Sequence, residues 1–282
     1  MEKNNPKRTW RDKVISGGNE FYYNLTEPIL LWLARIRYEA EYQADDQKPL
    51  ISVYIPTYNR AELLINRSVP SVLVQTYKNF ELIIVGDHCT DNTAELVSKI
   101  ADPRIIFYNL PVRSYRYPPT AENHWLAGPV VPANRALKMI RGKWIARLDD
   151  DDIWTPDHLE VLLRFAQKGH YEFVSSSYET ERHGKKMPVD VKEANPRIGG
   201  TQTWLYRSYL KSFRYNINCW RKSWNRVNDT DLQDRFYKAG ARLGFLEQVT
   251  ARILPRPGET TVGLEAYRLS ENEKIKHFEF KK

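Results

Sequence analysis

The sequence predicts an α/β fold: a mostly parallel sheet flanked by helices, with a smaller, less regular half behind it. Three observations carry that prediction. From Leu50 onward, short apolar runs end in polar loops and lead into segments of helical period, the pattern of strands alternating with helices around a parallel sheet. Beyond Tyr178 this rhythm weakens into a basic, aromatic stretch. The chain has 282 residues and is 41% hydrophobic, which is enough for a real core and excludes a disordered or collagen-like chain.

Taken in order, residues 1–48 read as an N-terminal helical extension. Its start, MEKNNPKRTWRDK, is basic; Gly17-Gly18 then predicts a break before a helix capped by Thr26, with Pro28 in its first turn. Leu30, Leu33 and Ala34 recur at helical spacing while Trp32, Arg35 and Arg37 spread over other faces. This helix is a candidate for peripheral membrane contact, or for packing on its own domain or a sister subunit. Residues 49–180 hold the regular part: strands at 50–55, 80–86, 104–108 and 143–148, and helices at 61–76 (interrupted at Pro70), 92–100 and 132–140. Residues 181–255 form the less regular half, through Trp204, Tyr206, Tyr209, Phe213, Tyr215, Trp220 and Trp224. Pro257, Gly258 and Gly263 mark 256–282 as a loop and C-terminal tail.

A net charge of +8 suits nucleic acid, a membrane surface or a phosphorylated substrate. The two cysteines, Cys89 and Cys219, are too few for a disulfide scaffold and lack zinc spacing, which favours a reducing setting. No apolar signal core follows the basic start, and the run at 29–34 falls far short of the roughly 20 residues that span a bilayer. The expected location is cytoplasmic, either soluble or peripheral at the inner face of a membrane.

Ligands of open parallel sheets bind beyond the carboxyl ends of the strands. The strongest feature at such a position is Arg147-Leu148-Asp149-Asp150-Asp151-Asp152-Ile153-Trp154. Adjacent carboxylates repel unless something neutralises them, and a hard divalent cation, Mn2+ or Mg2+, is the natural partner. An ion held by few carboxylates completes its shell with substrate phosphates, which favours a nucleotide diphosphate as ligand. The structural alternative is a solvated acidic turn that caps the next helix.

After the second strand comes Val85-Gly86-Asp87-His88-Cys89-Thr90-Asp91-Asn92-Thr93, where Asp87 is placed to accept hydrogen bonds from a base or ribose. Asp91 and Thr93 are placed to cap the next helix. The first strand ends Ile55-Pro56-Thr57-Tyr58-Asn59-Arg60, facing the same crevice. His88 and His158 read as loop and helix-face residues rather than ligands. The loop at 111–129 carries Arg113, Tyr115, Arg116, Tyr117, His124 and Trp125. It suits either stacking on a base or sugar or a plain aromatic surface loop.

In their order along the chain, these motifs resemble the family 2 glycosyltransferases of GT-A fold. The opening strand and its turn at 55–60, the Asp-x-x-x-Asp-Asn-Thr loop at 87–93, Gln75-Thr76-Tyr77 with Phe80-Glu81-Leu82, and the aspartate run at 148–152 followed by Ile153, Trp154 and Pro156 all resemble family motifs. The resemblance covers about 50–156 and implies a GT-A-like fold. Its Rossmann-like nucleotide-sugar-binding half would lie at 49–180 and its acceptor-side half at 181–255. Carried over by position, it implies that Pro56, Thr57, Arg60 and Asp87 surround the base. Asp149 or Asp150 would hold the ribose side, Asp151 the metal, and Asn134 would lie near the donor.

Asn228-Asp229-Thr230-Asp231-Leu232 with Arg235 resembles the family's acidic motif, making Asp229 the candidate base with Asp231 or Asp234 as alternatives. Asn228 stands where the family has an acidic residue. His277 lies in the tail, where some GT-A enzymes supply a further metal ligand. The resemblance implies an inverting transfer from a nucleotide-diphosphate sugar, UDP-sugar favoured, to a hydroxyl of a glycan or lipid-linked acceptor. Cell-surface polysaccharide or glycolipid synthesis is the implied setting.

The residues alone leave rivals open. A metal-dependent nucleotidyltransferase shares strand-end aspartates, but no Gly-rich phosphate loop with a lysine stands near the first strand. A nucleic-acid-binding module would use the basic, aromatic interleaving of 204–226, yet four aspartates in the crevice repel phosphate unless metal is bound, so no nucleic-acid partner is expected. A non-catalytic nucleotide-sugar binder would look nearly the same.

Overall fold

The computed structural model describes residues 9–43, 48–189, 191, 196–221 and 227–269. Trp224 and His277 lie outside these. The elements in chain order are α1 (Trp10–Gln43), β1 (Ile51–Thr57), α2 (Ala61–Leu63), a π turn (Leu64–Ser68), α3 (Val69–Leu73), β2 (Phe80–Gly86), α4 (Thr93–Ser98) and β3 (Ile105–Asn109). There follow α5 (Ala121–Ala127), α6 (Val130–Leu137), β4 (Trp144–Arg147), β5 (Asp152–Trp154), α7 (His158–Lys168), β6 (Phe173–Arg182) and β7 (Lys185–Pro188). Last come β8 (Leu205–Arg207), α8 (Asn228–Lys238), β9 (Leu243–Ile253) and α9 (Gly263–Leu269).

One nine-stranded sheet runs in the order β3-β2-β1-β4-β8-β6-β9-β5, with β7 beside β6. The first four strands are parallel, as the alternating pattern predicts. Beyond them the sheet is mixed: β8 is antiparallel to β4 and β6, and β9 is parallel to β6. Strands covered by helices on both faces read as unbroken apolar runs, and β1 and β2 are buried throughout. Their alternate residues feed two cores. Tyr54, Ile83, Val85 and Ile145 face one, while Val53, Ile55, Leu82, Ile84 and Ala146 face the other.

Two local expectations are corrected. The break at Gly17-Gly18 and the cap at Thr26 do not form: α1 runs unbroken through both glycines and holds Pro28 inside it. Thr26 instead donates to the Tyr22 carbonyl one turn back, at 2.8 Å. The helix survives because tertiary contacts outweigh propensity: Leu31 is buried, and Glu27, Arg35 and Glu39 are ion-paired to the globule. Nor is the helical segment interrupted at Pro70 itself. The irregularity falls just before it, where the Val69 N–H reaches the Leu64 carbonyl and widens the turn, so that Pro70 sits in the first turn of α3.

The basic, aromatic stretch is mostly interior. Trp204, Tyr206, Tyr209, Phe213 and Tyr215 are buried in one core with Phe173 and Phe236, so these rings are packing groups rather than an exposed stacking platform.

Candidate functional site

The strand order reverses at β1: β2 and β3 lie on one side and β4 on the other. The carboxyl ends of β1 and β4 therefore flank the switch point where open α/β sheets bind ligands. Pro56 suits this place. The β1–β4 ladder ends at Tyr54↔Arg147, with the Leu148 N–H on the Tyr54 carbonyl; the next rung would need an N–H at position 56, which proline lacks, so pairing stops where the crevice opens. Asn59, with φ 49°, and His88, with φ 61°, make the sharp turns after β1 and β2. The Asn59 side-chain oxygen accepts from the Thr90 N–H at 2.8 Å and ties the two loops together. Asp91 accepts from Thr93 N–H at 3.1 Å and from Ala61 N–H at 3.2 Å, serving two helix starts, which fits its expected capping role.

The aspartate run crosses this crevice. Asp150 accepts from Thr57 Oγ1 and from Arg60, each at 2.8 Å, and Arg60 also reaches Asp151 at 3.2 Å. The π turn aims Ser68 at the Asp149 and Asp152 carbonyls and Arg67 at the Asp151 carbonyl. Arg147 holds Asp149 at 3.0 Å and donates to Asn228 at the start of α8. Thr57, Arg60, Asp149, Asp150 and Asp151 thus stand together.

Asp229 completes the ring from the second half of the chain. Burial pushes the Asp149 carboxyl up, with the charges of Asp151 and Asp229 adding, and burial lifts the Tyr178 phenol to about 12, with Asp229 and Asp152 adding. One Asp229 oxygen accepts from Thr201, the other from the Thr230 N–H at 2.8 Å.

These carboxylates differ in accessibility. Asp150 and Asp152 are buried, and Asp152 Oδ1 has no hydrogen-bond partner. Burial, reinforced by the neighbouring aspartates, drives the Asp152 carboxyl well above the usual range; Asp150 shifts the same way, opposed by Arg60 and Thr57. Asp149 and Asp151 keep 36% and 22% of their side chains exposed and are the two members open to a ligand. Among the described residues no three His, Cys, Asp or Glu side chains form a ready cage. Two accessible carboxylates either side of a buried one fit a cation that takes its other oxygens from a diphosphate.

Asp87 and Asn134 are already engaged. Asp87 accepts from Arg113 at 2.9 Å and from both Arg116 terminal nitrogens at 2.8 Å, all three side chains being buried. Arg113 lies over the Tyr58 ring at 4.1 Å, so the loop at 111–129 folds into the crevice wall. Asn134, expected beside the donor, spends both ends of its amide on the Tyr215 backbone, at 2.8 and 2.9 Å. His158 stacks on Trp154 at 4.0 Å and meets Thr250, and burial brings its imidazole down to about 3, a packing residue as the sequence suggests. Cys89, buried, has its thiol pushed up to about 11 and is no nucleophile.

Several site residues escaped the sequence reading. Arg67 sits two helical turns after Arg60, a spacing that would have revealed it. Arg256, 4.0 Å from Asp151, and Tyr267, which accepts from Arg60 at 2.7 Å, arrive from the C-terminal segment, and no local signal marks them.

Comparison with known proteins bears on this geometry. The pattern described as "Glycosyl transferase family 2" matches residues 52–227. The Escherichia coli protein WfgD, named UDP-Glc:alpha-D-GlcNAc-diphosphoundecaprenol beta-1,3-glucosyltransferase, is 36% identical over 130 residues, 46% of each chain. The chain spans less than half the length of the curated relatives it matches. Staphylococcus aureus TarS, solved with UDP-GlcNAc, superposes with a TM-score of 0.58 at 21% identity, covering 74% of this chain and 60% of that one. The mannosyltransferase PcManGT of Pyrobaculum calidifontis, solved with GDP-Man and Mn2+, gives 0.56 at 16% identity, covering 83% and 67%. At these identities the solved structures establish the fold, that of GT-A transferases.

Proposed function

Since the chain belongs to glycosyl transferase family 2, we propose that it transfers a sugar, with inversion, from a nucleotide-diphosphate donor to an acceptor hydroxyl. One observation carries the reading: the two accessible carboxylates, Asp149 and Asp151, stand at the switch point within a ring of Arg60, Arg67, Arg147 and Arg256. That arrangement suits a diphosphate and a divalent cation together. Asp149 and Asp151 would hold Mn2+ or Mg2+, whose chemistry when bound is to stabilise negative charge on the leaving diphosphate.

The chain's own residues supply the rest. Arg60 and Arg256, both beside Asp151, would favour the departing charge. Asp229, kept in place by Thr201 and the Thr230 N–H, accepts the acceptor's hydroxyl proton. The acceptor oxygen bonds to the anomeric carbon as the carbon–oxygen bond to the diphosphate breaks, and that electron pair leaves with the diphosphate. Thr57, Arg60 and the Asp87 loop would border the nucleotide, with Arg113 and Arg116 fixing Asp87 in position.

A UDP-sugar donor, a lipid-linked glycan acceptor and a site of action at a membrane face form the finer reading. It is supported by the donor and the diphosphoundecaprenol-linked acceptor in the name of WfgD. The test is release of nucleotide from a panel of UDP-, GDP- and dTDP-sugars with Mn2+, Mg2+ or EDTA, comparing the native chain with Asp151→Ala. Metal-dependent release from one donor, reduced about 100-fold or more in the variant, is expected. No release and no metal-dependent nucleotide binding with any donor would sink the reading.

A further inference from the structure

Helix α1 is inverted relative to an ordinary surface helix. It is 34 residues long, about 51 Å at the standard rise. Four of its five acidic side chains point at the protein: Asp12 pairs with Arg221, Glu20 with Lys238, Glu27 with Arg235, and Glu39 with Arg207 and Arg242. Leu31 is buried on that same side.

The opposite side is apolar and open. Trp10, Phe21, Leu25, Ile29, Trp32 and Ile36 are all exposed, with Trp10 at 69%, Phe21 at 73% and Ile36 at 66%. At 3.6 residues per turn these six fall within an arc about 100° wide. Within that arc the charged side chains are Arg11 and Glu39, and Glu39 is already paired with Arg207 and Arg242 of the globule; Asp12, Glu20, Glu27 and Glu41 fall outside it. In the sequence just ahead stand Lys3, Lys7 and Arg8 against Glu2.

We propose that this face of α1 lies on an anionic lipid bilayer, its rings and aliphatic chains in the interfacial layer and Arg11 among lipid phosphates. Charge complementarity selects this occupant over a second copy. An identical stripe would offer Arg11 only Glu39, which Arg207 and Arg242 already engage, whereas an anionic bilayer offers hydrocarbon to the apolar side chains and phosphate to the cations. Tryptophan, with an apolar body and one N–H donor, is suited to that boundary. No described helix is long and apolar enough to cross a membrane, so the mode is attachment along the surface.

The test is flotation of the 282-residue chain with vesicles of phosphatidylcholine alone or with about 30% phosphatidylglycerol, at low and high salt. The vesicles contain neither sugar donor nor acceptor, so the result is independent of the transfer reading. Binding to the anionic vesicles that weakens with salt is expected. Arg11→Gln should lower the affinity about 5-fold, and Phe21→Ser with Trp32→Ser more than about 10-fold, while the thermal midpoint stays near that of the native chain. Native chain that remains unbound at low salt would overturn the proposal. So would a native dimer that the double substitution dissociates without any vesicle binding, which would make the stripe an interface between copies.

Discussion

Two regions of this molecule bury charge heavily, and they do so in opposite ways. Where α1 meets the globule, the carboxylates are matched by arginines: Glu172 takes Arg35 at 2.6 Å, Glu27 takes Arg235 at 3.0 Å, and Glu39 takes Arg207 and Arg242 at 2.9 and 2.7 Å. Burial alone would raise Glu172 and Glu39, yet their hydrogen-bonded arginines hold both below the ordinary range. In the crevice the balance reverses. Asp149, Asp150 and Asp152 are pushed up by desolvation and by neighbouring aspartates, Asp151 above all, despite Arg147, Arg60 and Arg67. Charge burial by itself therefore does not mark a functional site. The direction of the shift separates the two regions: satisfied carboxylates hold a helix down, while under-compensated ones in the crevice are the candidates for a bound cation.

This contrast can be broken by substitution. Asp229→Asn keeps the shape of the crevice and removes the proposed base, so transfer should fall about 100- to 10,000-fold with nucleotide binding retained, as single-turnover transfer and donor titration would show. An unchanged rate would shift the role to Asp231 or Asp234. Glu27→Ala does the converse. It leaves Arg235, 4% exposed, with Asp231 at 3.4 Å as its ion-pair partner, and should cost about 1–3 kcal/mol in urea unfolding while nucleotide release per folded molecule is kept. Equal loss of both would mean that the two regions are not separable.

The smallest effect is in pH. His158 is held at about 3 and His124 well below its ordinary value, in both cases chiefly by burial, with arginine charges adding to His124. The unfolded chain protonates each near pH 6.5, so the folded state binds fewer protons below that. Stability fully present above about pH 6.5 is lost as pH falls toward 3. His158→Phe, which keeps the stack on Trp154, should flatten the urea-midpoint profile by about 1.4 kcal/mol per pH unit in that window.

The parallel core of the fold was legible because its signals are local. Apolar runs ending in polar turns located β1 to β4 to within about two residues, and the clustering of the aspartates follows from their being consecutive. The turns at Asn59 and His88 likewise follow from short stretches of chain.

What the sequence by itself determined was periodicity and chemical type: which segments are strands, and which residues carry charge. Tertiary structure alone decided the pairing. It joined α1 across Gly17, Gly18 and Pro28 because distant arginines hold its inner face. It enclosed Asp87 between Arg113 and Arg116, spent Asn134 on Tyr215, and carried Arg256 and Tyr267 to Arg60 and Asp151. It also chose which aspartates stay accessible. The physical reason is the same throughout: propensity and pattern act over a few residues, whereas the state of a charged group depends on whichever partners and how much water the folded chain brings within a few ångströms of it.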